Sequence, residues 1–343
     1  MSGLSIKRLD ESQSEQWNDY LESHAEATFC HLAEWRQVIE HAFGHACYFL
    51  YAETDGEICG VLPLAHIRSR LFSNALISTP FCVYGGAVAD SGEIAAKLED
   101  RAAELAQELQ VDYLELRNAT RRREGWLHKE LYVTFSKQIQ ADDESNLKAI
   151  PRKQRAMVRK GIKAGLQSQF DDDVERFFST YSTSVRDLGT PVFSRAYFQL
   201  LKEIFAERCA ILTVTNDGEA IASVMSFYFK DQVLPYYGGG TPQARALKGF
   251  DFMYWELMRR SVEAGVKVFD YGRSKLGTGA YQFKKNWGFE AQPLNYQYHL
   301  VNAKSIPDIN PLNPKYRMFV EMWKHLPLPI ANSLGPILSR SLG

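Results

Sequence analysis

The stretch that decides the fold runs from residue 234 to residue 288 and reads LPYYGGGTPQARALKGFDFMYWELMRRSVEAGVKVFDYGRSKLGTGAYQFKKNWG. It opens with aromatic and apolar residues typical of a strand and reaches three glycines, Gly238 to Gly240. Beyond a polar loop, one apolar stripe recurs at helical spacing: Phe252, Trp255, Met258 and Val262. Gly265 is placed to end that helix, and residues 266–271 have the pattern of a short buried strand. This order of strand, glycine-bearing loop, helix and strand predicts an α/β unit.

The loop before the predicted helix is a candidate anion or oxyanion site, because backbone N–H groups at a helix N-terminus are unpaired and carry partial positive charge. The donors here are the amides of Gly249, Phe250 and Asp251, and glycine lets a ligand approach the backbone closely. Arg245 and Lys248 flank the loop and add positive charge. The alternative is a tight loop in an ordinary α/β domain, since the segment has neither a Walker lysine motif nor a GxGxxG motif.

The composition is that of a folded globular protein with room for two domains: 343 residues, of which 45% are hydrophobic and 13% aromatic. A formal net charge of −1 excludes a general electrostatic attraction to nucleic acid or to an anionic membrane. Five scattered cysteines without a CxxC pair favour free thiols in a reducing cytoplasm. The first residues lack the apolar core of a signal peptide, and no run reaches the ~20 apolar residues of a membrane span. We therefore expect a cytoplasmic protein.

Three short motifs occur twice in the same order, which predicts two copies of one α/β unit. They are Asp55-Gly56-Glu57 and Asp217-Gly218-Glu219, Tyr84-Gly85-Gly86 and Tyr237-Gly238-Gly239, and the strand-end arginines Arg117 and Arg273. The separations are nearly constant at 162, 153 and 156 residues. Each Asp-Gly pair lies between apolar runs and predicts a hairpin. We expect an N-terminal domain over residues 1–145, a C-terminal domain over residues 146–303 that carries the active site, and an amphipathic tail over residues 304–343.

A basic segment lies just past the predicted boundary, where residues 148–163 hold seven basic side chains and no acidic one. A helix there places Arg155 and Arg159 near one face. The segment is either a solvated basic helix or a contact for a polyanion: a nucleotide-linked or lipid-phosphate-linked substrate, or transfer RNA. Arg186, at the start of a loop that contains glycine and proline, is in the same way either an anion clamp or a surface arginine.

A lysine among aromatic residues is the leading catalytic candidate. Phe283, Lys284 and Tyr281 follow the last strand of the opening stretch, and a cation in an apolar pocket can stabilise the charge on a carbonyl oxygen. The alternative is a snorkelling lysine beside core aromatics. Asp270 and Tyr281 are the candidate general bases, and proton transfer assisted by the substrate is an equal alternative. We expect no metal site, because the chain has no HExxH motif.

The tail predicts an amphipathic helix, because apolar residues recur at i, i+3, i+4 and i+7: Tyr316, Phe319, Val320 and Trp323. Basic residues accompany them: Lys315, Arg317, Lys324 and Arg340. This helix either packs on the second domain or contacts the inner membrane surface as a peripheral element.

Several of these motifs together resemble a known family. The runs Tyr237-Gly238-Gly239, Phe269-Asp270-Tyr271-Gly272-Arg273 and Tyr281-Gln282-Phe283-Lys284-Lys285-Asn286-Trp287-Gly288 are similar to those of the Fem-type (FemAB, FemX) aminoacyl transferases and of CelD-like acetyltransferases. The basic run from Pro151 to Lys160 and the segment from Asn313 resemble the FemAB-related branch found with exosortase/PEP-CTERM and exopolysaccharide systems. The resemblance extends from about His31 to the C-terminus. It implies an α/β (α+β) fold of two tandem GNAT-like domains, with mixed sheets flanked by helices.

The resemblance also implies a reaction. An acyl or aminoacyl group is transferred from acyl-CoA or aminoacyl-tRNA, without a metal, to an amine of a cell-envelope precursor such as a nucleotide-linked or lipid-linked glycan or peptide of peptidoglycan or exopolysaccharide. The splayed end of the strand over residues 236–240 orients the acyl group, and Lys284 stabilises the oxyanion. The alternative function is a non-catalytic GNAT-fold binding module in an envelope assembly. The sequence does not predict the oligomeric state.

The local patterns and the resemblance together give the residues of the predicted site. The donor is expected at Tyr237, Gly238, Gly239, Arg245, Lys248, Gly249 and Phe250. The acceptor is expected at Trp35, Arg36, Tyr84, Arg155, Arg159, Arg186, Gly189, Phe193, Tyr236 and Arg273. The catalytic set is Lys284, Phe283, Tyr281 and Asp270.

Overall fold

The computed structural model of the protein describes residues 3–69, 74–306 and 314–341, and for residues 314–317 it describes the backbone alone. The chain divides into two compact units. The first unit contains residues 1–132, 293–308 and 340–343, and the second contains residues 133–292 and 309–339.

The strands, in chain order, are β1 (Ser5–Arg8), β2 (Ala46–Cys47), β3 (Leu50–Thr54), β4 (Glu57–Leu62), β5 (Leu64–Arg68), β6 (Asn74–Ser78), β7 (Val88–Ala89), β8 (Tyr113–Asn118), β9 (Leu127–Lys129), β10 (Tyr132–Thr134), β11 (Ser136–Gln138), β12 (Gln167–Asp171), β13 (Cys209–Asn216), β14 (Glu219–Phe229), β15 (Gln232–Gly240), β16 (Val268–Asp270), β17 (Ser274–Lys275), β18 (Gln292–Pro293) and β19 (Asn295–Leu300). The α-helices are α1 (Ser14–Ser23), α2 (Glu34–Phe43), α3 (Gly92–Glu108), α4 (Asp143–Ala149), α5 (Arg152–Lys163), α6 (Glu175–Asp187), α7 (Arg195–Phe205), α8 (Pro242–Leu247), α9 (Gly249–Glu263), α10 (Gly279–Asn286), α11 (Pro314–Lys324) and α12 (Leu328–Ser339). Short 3-10 helices occupy Glu11–Gln13, Phe29–His31 and Ala206–Arg208.

The first unit contains two sheets, with strand orders β1-β3-β4-β7 and β2-β5-β6-β8-β19-β9. Pro63 separates β4 from β5, so β4 pairs with β3 while β5 pairs with β6. Proline cannot donate to a strand ladder, and this explains why the pairing changes there. Helix α3 buries Leu98 and Ala102 in the core of this unit.

The second unit is built on one six-stranded sheet with the order β11-β16-β15-β14-β13-β12. Helix α6 packs against β14 and β15. The core includes Met253 of α9, Phe269 of β16 and Trp287 after α10. Three short strands form a separate small sheet in the order β17-β10-β18.

Both predicted hairpins are confirmed. Thr54 pairs with Glu57 across one turn, and Asn216 pairs with Glu219 across the other. The central residues have positive φ in both turns: 54° and 88° at Asp55 and Gly56, and 49° and 83° at Asp217 and Gly218. Two consecutive positive φ angles are the signature of a type I′ turn, for which Asp-Gly is a preferred sequence.

Each unit also contains a strand, helix, strand crossover between parallel neighbours. In the first unit, β6 leads through α3 to β8, and Leu76 pairs with Leu114. In the second unit, β15 leads through α8 and α9 to β16, and Val233 pairs with Phe269. The two units therefore share a hairpin followed by a parallel crossover, as the repeated motifs predict.

The two crossover strands of the second unit separate soon after they begin. Their parallel pairing consists of two residue pairs, Gln232 with Val268 and Val233 with Phe269. Strand β15 nevertheless continues to Gly240, and on its other side it stays paired with β14. The predicted splay of this strand is therefore present, and it begins after Val233.

The division into units differs from the predicted domain limits at residues 145 and 303. The chain enters the second unit at Val133, and β11 pairs there with β16. Strand β19 belongs to the first unit, because Asn295–Leu300 pairs along its whole length with β8. Long-range strand pairing, which leaves no periodic signal in the sequence, sets these limits.

The tail forms two helices, and one side of them packs on the second unit. A Cβ at Gly189 would lie 2.5 Å from a Val320 side-chain atom, and a Cβ at Gly335 would lie 2.7 Å from the Val192 carbonyl oxygen. Arg186 donates to the Leu326 carbonyl at 3.2 Å. Among the described residues, no helix combines the length and the apolar character that crossing a bilayer requires.

Candidate active site

A cavity of about 340 Å³ lies in the second unit, between the start of α9, the end of β16 and helix α10. Its wall is formed by Ala244, Arg245, Lys248, Phe250, Asp251, Tyr254, Tyr271, Ala280, Phe283 and Lys284. Five of these ten residues belong to the predicted site: Arg245, Lys248, Phe250, Phe283 and Lys284. They meet because α9 and α10 flank the same short strand, so the crossover brings both helices to one end of it.

Lys284 lies on α10 with its ammonium directed at a backbone turn. Its Nζ donates to the carbonyl oxygens of Tyr271, Gly272 and Arg273 at 2.7, 3.0 and 3.0 Å. An ammonium has three N–H donors, so all of them are engaged. Burial lowers the pKa of Lys284 to about 8, against the opposing effect of the Asp270 carboxylate. Lys284 thus holds the wall at 271–273 and places a positive charge beside the cavity.

The rim carries two further cations on the short helix α8 and the residue that follows it. Arg245 and Lys248 both line the cavity, and Lys248 donates to the Arg245 carbonyl at 3.3 Å. Lys248 has φ of 63°, a left-handed conformation that turns the chain from α8 into α9. The 15-residue helix α9 therefore begins at the cavity, and its N-terminal dipole adds to the positive potential there.

Asp251 brings a buried carboxylate to this cationic wall. Its side chain lies in the first turn of α9, and the residue is 6% exposed. Its Oδ1 accepts hydrogen bonds from Gln154 Nε2 and, at 3.1 Å, from Trp287 Nε1. No described residue donates to its Oδ2. Burial raises the pKa of the Asp251 carboxyl, and the Gln154, Trp287 and Lys248 side chains oppose that rise.

Two tyrosine hydroxyls of the cavity wall also lack hydrogen-bond partners among the described residues. Tyr271 is 4% exposed, and its buried hydroxyl is unpaired. Tyr254 places its hydroxyl 2.9 Å from the position that a Cβ at Gly238 would occupy, so this hydroxyl lies against the splayed strand. Burial raises the pKa of Tyr254 to about 12. Both hydroxyls are therefore neutral near pH 7 and can donate or accept hydrogen bonds.

The two predicted general bases are placed differently from Asp251, and neither belongs to the lining of this cavity. Asp270 is 5% exposed, and its Oδ1 accepts from the Gly272 amide at 2.7 Å and from Thr134 Oγ1 at 3.5 Å. Tyr281 packs edge-on against Phe135, with ring centroids 5.6 Å apart. The Asp270 carboxylate thus supports the turn that Lys284 holds, and the Tyr281 ring packs against the core of the second unit.

The tyrosines of the splayed strand belong to an aromatic cluster. Tyr237 is buried, and its hydroxyl lies 2.7 Å from the Tyr197 hydroxyl. Tyr236 and Phe193 pack edge-on against Tyr237, at 4.8 and 6.2 Å between centroids. Gly239 packs against α6, because a Cβ there would lie 2.7 Å from the Tyr181 Cα. These aromatic residues pack together around the strand. Gly238 is the strand residue that lies against the Tyr254 side chain of the cavity wall.

The remaining predicted cations of the second unit are spread over its surface. Arg155 is half-buried and Arg159 is exposed on α5. Arg186 is paired with Asp187 at 2.9 Å in addition to its bond to Leu326. Arg273 is half-buried in the turn held by Lys284.

The predicted acceptor residues of the first unit lie in three environments. Trp35 is fully buried, and its indole N–H donates to the Phe29 carbonyl at 3.1 Å. Arg36 donates to the Leu9 carbonyl and lies 3.5 Å from Glu40. Tyr84 lines a small cavity of about 200 Å³ near the end of β8. Trp35 is thus a core side chain of this unit.

The sequence reasoning missed the side chains of Asp251, Tyr254 and Tyr271. A signal was present at Asp251, since an acid is placed directly before the apolar stripe of a buried helix. No group of three or more His, Cys, Asp or Glu side chains suited to a metal ion occurs within the part of the chain that the structure describes.

Comparison with known proteins relates the fold to one family. Residues 152–285 match the acetyltransferase (GNAT) domain family, and all ten residues that line the cavity fall within this range. A search of curated proteins found no match.

Solved structures extend the similarity of fold to most of the chain. FemX has a TM-score of 0.68 at 14% identity, covering 92% of this chain and all of its own. A tandem GNAT protein from the clavulanic acid biosynthesis pathway has a TM-score of 0.56 at 13% identity, covering 89% of this chain and all of its own. The C-terminal domain of a protein assigned as a lysylphosphatidylglycerol synthetase, from Agrobacterium fabrum, has a TM-score of 0.54 at 12% identity, covering 84% of this chain and 91% of its own. The predicted fold class, two tandem GNAT-like domains, is confirmed.

Proposed function

From a chain that has the Fem-type tandem GNAT fold, and whose residues 152–285 match the acetyltransferase (GNAT) domain family, we propose an N-acyltransferase or aminoacyltransferase. The observation that carries this proposal is the position of the 340 Å³ cavity. It lies entirely within the GNAT segment, next to a strand that separates from its parallel neighbour after two residue pairs.

The reaction we propose is direct attack of an amine on a thioester or ester carbonyl. Arg245, Lys248 and the N-terminus of α9 form a cationic rim suited to the phosphates of acyl-CoA or of transfer RNA. Phe250 and Phe283 supply apolar wall for the acyl group. The ladder between β15 and β16 ends at Val233, so the backbone of β15 beyond it is placed to orient the donor.

Lys284 is proposed to stabilise the oxyanion of the tetrahedral intermediate. Its three donors hold carbonyl oxygens in the free protein, so one of these bonds exchanges for the oxyanion during reaction. A fixed positive charge at a partly buried wall lowers the energy of a developing negative charge more than the same charge does in water.

The acceptor we propose is an amine of a cell-envelope precursor, which rests on the Fem-type resemblance and fold. Lysylphosphatidylglycerol in the name of one structural neighbour refers to an aminoacylated lipid, which is an envelope component of the same broad class. Association with exosortase/PEP-CTERM or exopolysaccharide systems is an expectation from the resemblance alone.

Peripheral membrane contact through the tail is part of this proposal. Helices α11 and α12 form a groove of about 700 Å³ lined by Phe319, Met322, Trp323, His325, Leu326, Leu334, Ile337 and Leu338. Met318, Met322 and Ile337 are 73%, 64% and 65% exposed. Lys315, Arg317 and Lys324 outnumber the one acid of these helices, Glu321. An exposed apolar surface, on helices whose sequence carries a net positive charge, is suited to the interface of an anionic bilayer.

The deciding experiment combines the purified protein with a panel of acyl-CoA esters and with charged tRNA, in the presence of amines that include amino sugars and lipid-linked precursors. Product is identified by mass spectrometry, and free CoA is quantified by its thiol. Transfer from a CoA ester assigns that donor, and transfer from charged tRNA assigns the other. Donor binding without transfer from any combination supports the non-catalytic binding module instead.

A further inference from the structure

We propose that Asp251 is the group that accepts the proton of the attacking amine. The assignment rests on the acyl-transfer function proposed above and adds a catalytic residue to it. It is carried by four observations: the carboxylate is buried, it lines the reaction cavity, one oxygen is held by two donors, and the other oxygen has no partner among the described residues.

Asp251 is held as a positioned base requires. The Gln154 amide comes from α5 and the Trp287 indole from the end of α10, and both bind the same oxygen, Oδ1. The two contacts fix the carboxylate plane and leave Oδ2 as the available acceptor. Gln154 is 9% exposed and Trp287 is fully buried, so these donors are themselves held by packing.

The surroundings of Asp251 favour a proton acceptor over a fixed anion. Burial destabilises a carboxylate, so Asp251 gains more from accepting a proton than an exposed carboxylate does. The charged or titratable groups that share its cavity are Arg245, Lys248, Lys284 and the hydroxyls of Tyr254 and Tyr271. The Lys248 ammonium, together with the Gln154 and Trp287 donors, opposes the effect of burial and so favours the ionised form that a base requires.

With a CoA donor, the amine adds to the thioester carbonyl, and the tetrahedral intermediate then collapses. The amine nitrogen forms a bond to the acyl carbon, the electron pair of the carbonyl moves to oxygen, and one N–H proton passes to Asp251 Oδ2. Collapse of the intermediate re-forms the carbonyl, breaks the C–S bond and releases thiolate. The thiolate takes the proton back from the Asp251 carboxylic acid, so the carboxylate is restored for the next turnover.

Three variants test this assignment in the full chain, with acetyl-CoA as donor and a primary amine that accepts in the transfer screen. Asp251→Asn keeps the size of the side chain and an oxygen for Gln154 and Trp287, but it cannot take a proton. We expect kcat/KM to fall about 100-fold or more, the usual contribution of a general base, with acetyl-CoA affinity unchanged by calorimetry. Asp172→Asn, an exposed acid of the same unit, is the matched control.

Gln154→Met adds a second measurement, the pH dependence of kcat/KM, which would not shift if the Asp251 carboxylate had only a structural role. Loss of the amide donor disfavours the ionised form of Asp251, so the acid limb of the kcat/KM profile moves to higher pH than in the wild type. The wild type and the variant are measured with the same amine, so the titration of that amine affects both profiles equally. This shift also decides the question if Asp251→Asn does not fold.

The outcomes separate the two proposals. If the wild type transfers an acyl group while Asp251→Asn matches its rate and Gln154→Met leaves the acid limb in place, the assignment of Asp251 is overturned and the proposed function stands. If the wild type transfers no group from any donor, the proposed function fails and the assignment fails with it.

Discussion

The ammonium of Lys284 has two roles, and comparison with a substitution at the neighbouring Lys285 separates them from a general surface effect. It satisfies three carbonyl oxygens of the turn at 271–273, and it brings a positive charge to the wall of the cavity that Asp251 also lines. The neighbouring Lys285 lies on the same helix, is exposed, and is absent from the lining of that cavity.

Replacing Lys284 with alanine is expected to reduce kcat/KM about 100-fold or more through loss of oxyanion stabilisation. Loss of its hydrogen bonds should lower the free energy of unfolding by about 1–3 kcal/mol while the protein remains folded. Steady-state kinetics and urea denaturation measure the two effects. Lys285→Ala is the control, and an unchanged kcat/KM in Lys284→Ala would remove Lys284 from the mechanism.

The lowered pKa of Lys284 also predicts how the transfer rate changes at alkaline pH. Its folded pKa of about 8 is lower than the ordinary value of 10.5, so the ammonium is present below pH 8 and is lost as the pH rises through that value. We therefore expect transfer to decline above about pH 8. The same lowering means that the unfolded state binds more protons between the two values, so the folding stability contributed by this group rises with pH there.

The measurement is kcat/KM over the pH range in which the protein stays folded, with one amine throughout. Lys285→Ala should keep the decline. A wild-type profile that stays level through pH 9 would contradict the lowered pKa of Lys284.

At the scale of elements, the two Asp-Gly turns test whether the repeated hairpins are equivalent. Gly56 and Gly218 both have positive φ, and a Cβ at either would meet no atom within 4 Å. Alanine should therefore cost only the backbone strain of the left-handed region, about 1–2 kcal/mol of unfolding free energy in each variant. Gly92→Ala, which is also in open space but lacks the positive φ, is the control in denaturant melts. A large difference between the two turns would argue against equivalent hairpins.

The helix pair α11–α12 predicts reversible binding to anionic vesicles. The double variant Met322→Glu, Ile337→Glu places two charges in the groove and should abolish co-sedimentation with phosphatidylglycerol vesicles, because a buried carboxylate has a high transfer cost. The control is Leu188→Glu, a substitution at a residue of the same unit that is 62% exposed. Equal pelleting of the wild type and the double variant, or none by either, would exclude this surface as the membrane contact.

At the scale of the whole molecule, the two units share a hairpin and a crossover but differ in the place that would receive a donor. In the second unit, β15 separates from β16 beside a cavity with a cationic rim. In the first unit, the chain after β6 is tied down by side chains. Arg117 donates to the Cys82 carbonyl, His31 contacts the Gly86 carbonyl at 3.1 Å, and Tyr296 donates to the Val83 carbonyl. Three backbone carbonyl oxygens of this segment are therefore engaged by side chains of the first unit.

Hydrogen–deuterium exchange with CoA tests that asymmetry. We expect CoA to slow exchange in residues 244–254 and 271–284 and to leave residues 79–87 unchanged, because only the former line the cationic cavity. Residues 79–87 serve as the internal control, since they follow the corresponding strand of the first unit. Protection confined to 79–87 would place the donor in the first unit.

Much of this protein could be predicted from local sequence patterns. The Asp-Gly pairs determine both hairpins, because type I′ geometry needs two consecutive positive φ angles. The apolar stripe from Phe252 to Val262 predicts α9, and the glycines before it mark the strand that leads into the helix. Arg245, Lys248 and Phe250 lie on one crossover, and Phe283 and Lys284 lie on the helix that follows its last strand, so chain connectivity keeps these residues near one another.

Only the tertiary structure decided which distant residues complete the site and the units. Asp251 meets Gln154 and Trp287 across 97 and 36 residues, β19 returns to pair with β8, and Trp35 is enclosed in the first core. Local spacing follows from the fixed hydrogen-bond geometry of helices and turns, so it can be read along the chain. Contacts between distant segments depend on which surfaces exclude water together, and that is a property of the folded molecule.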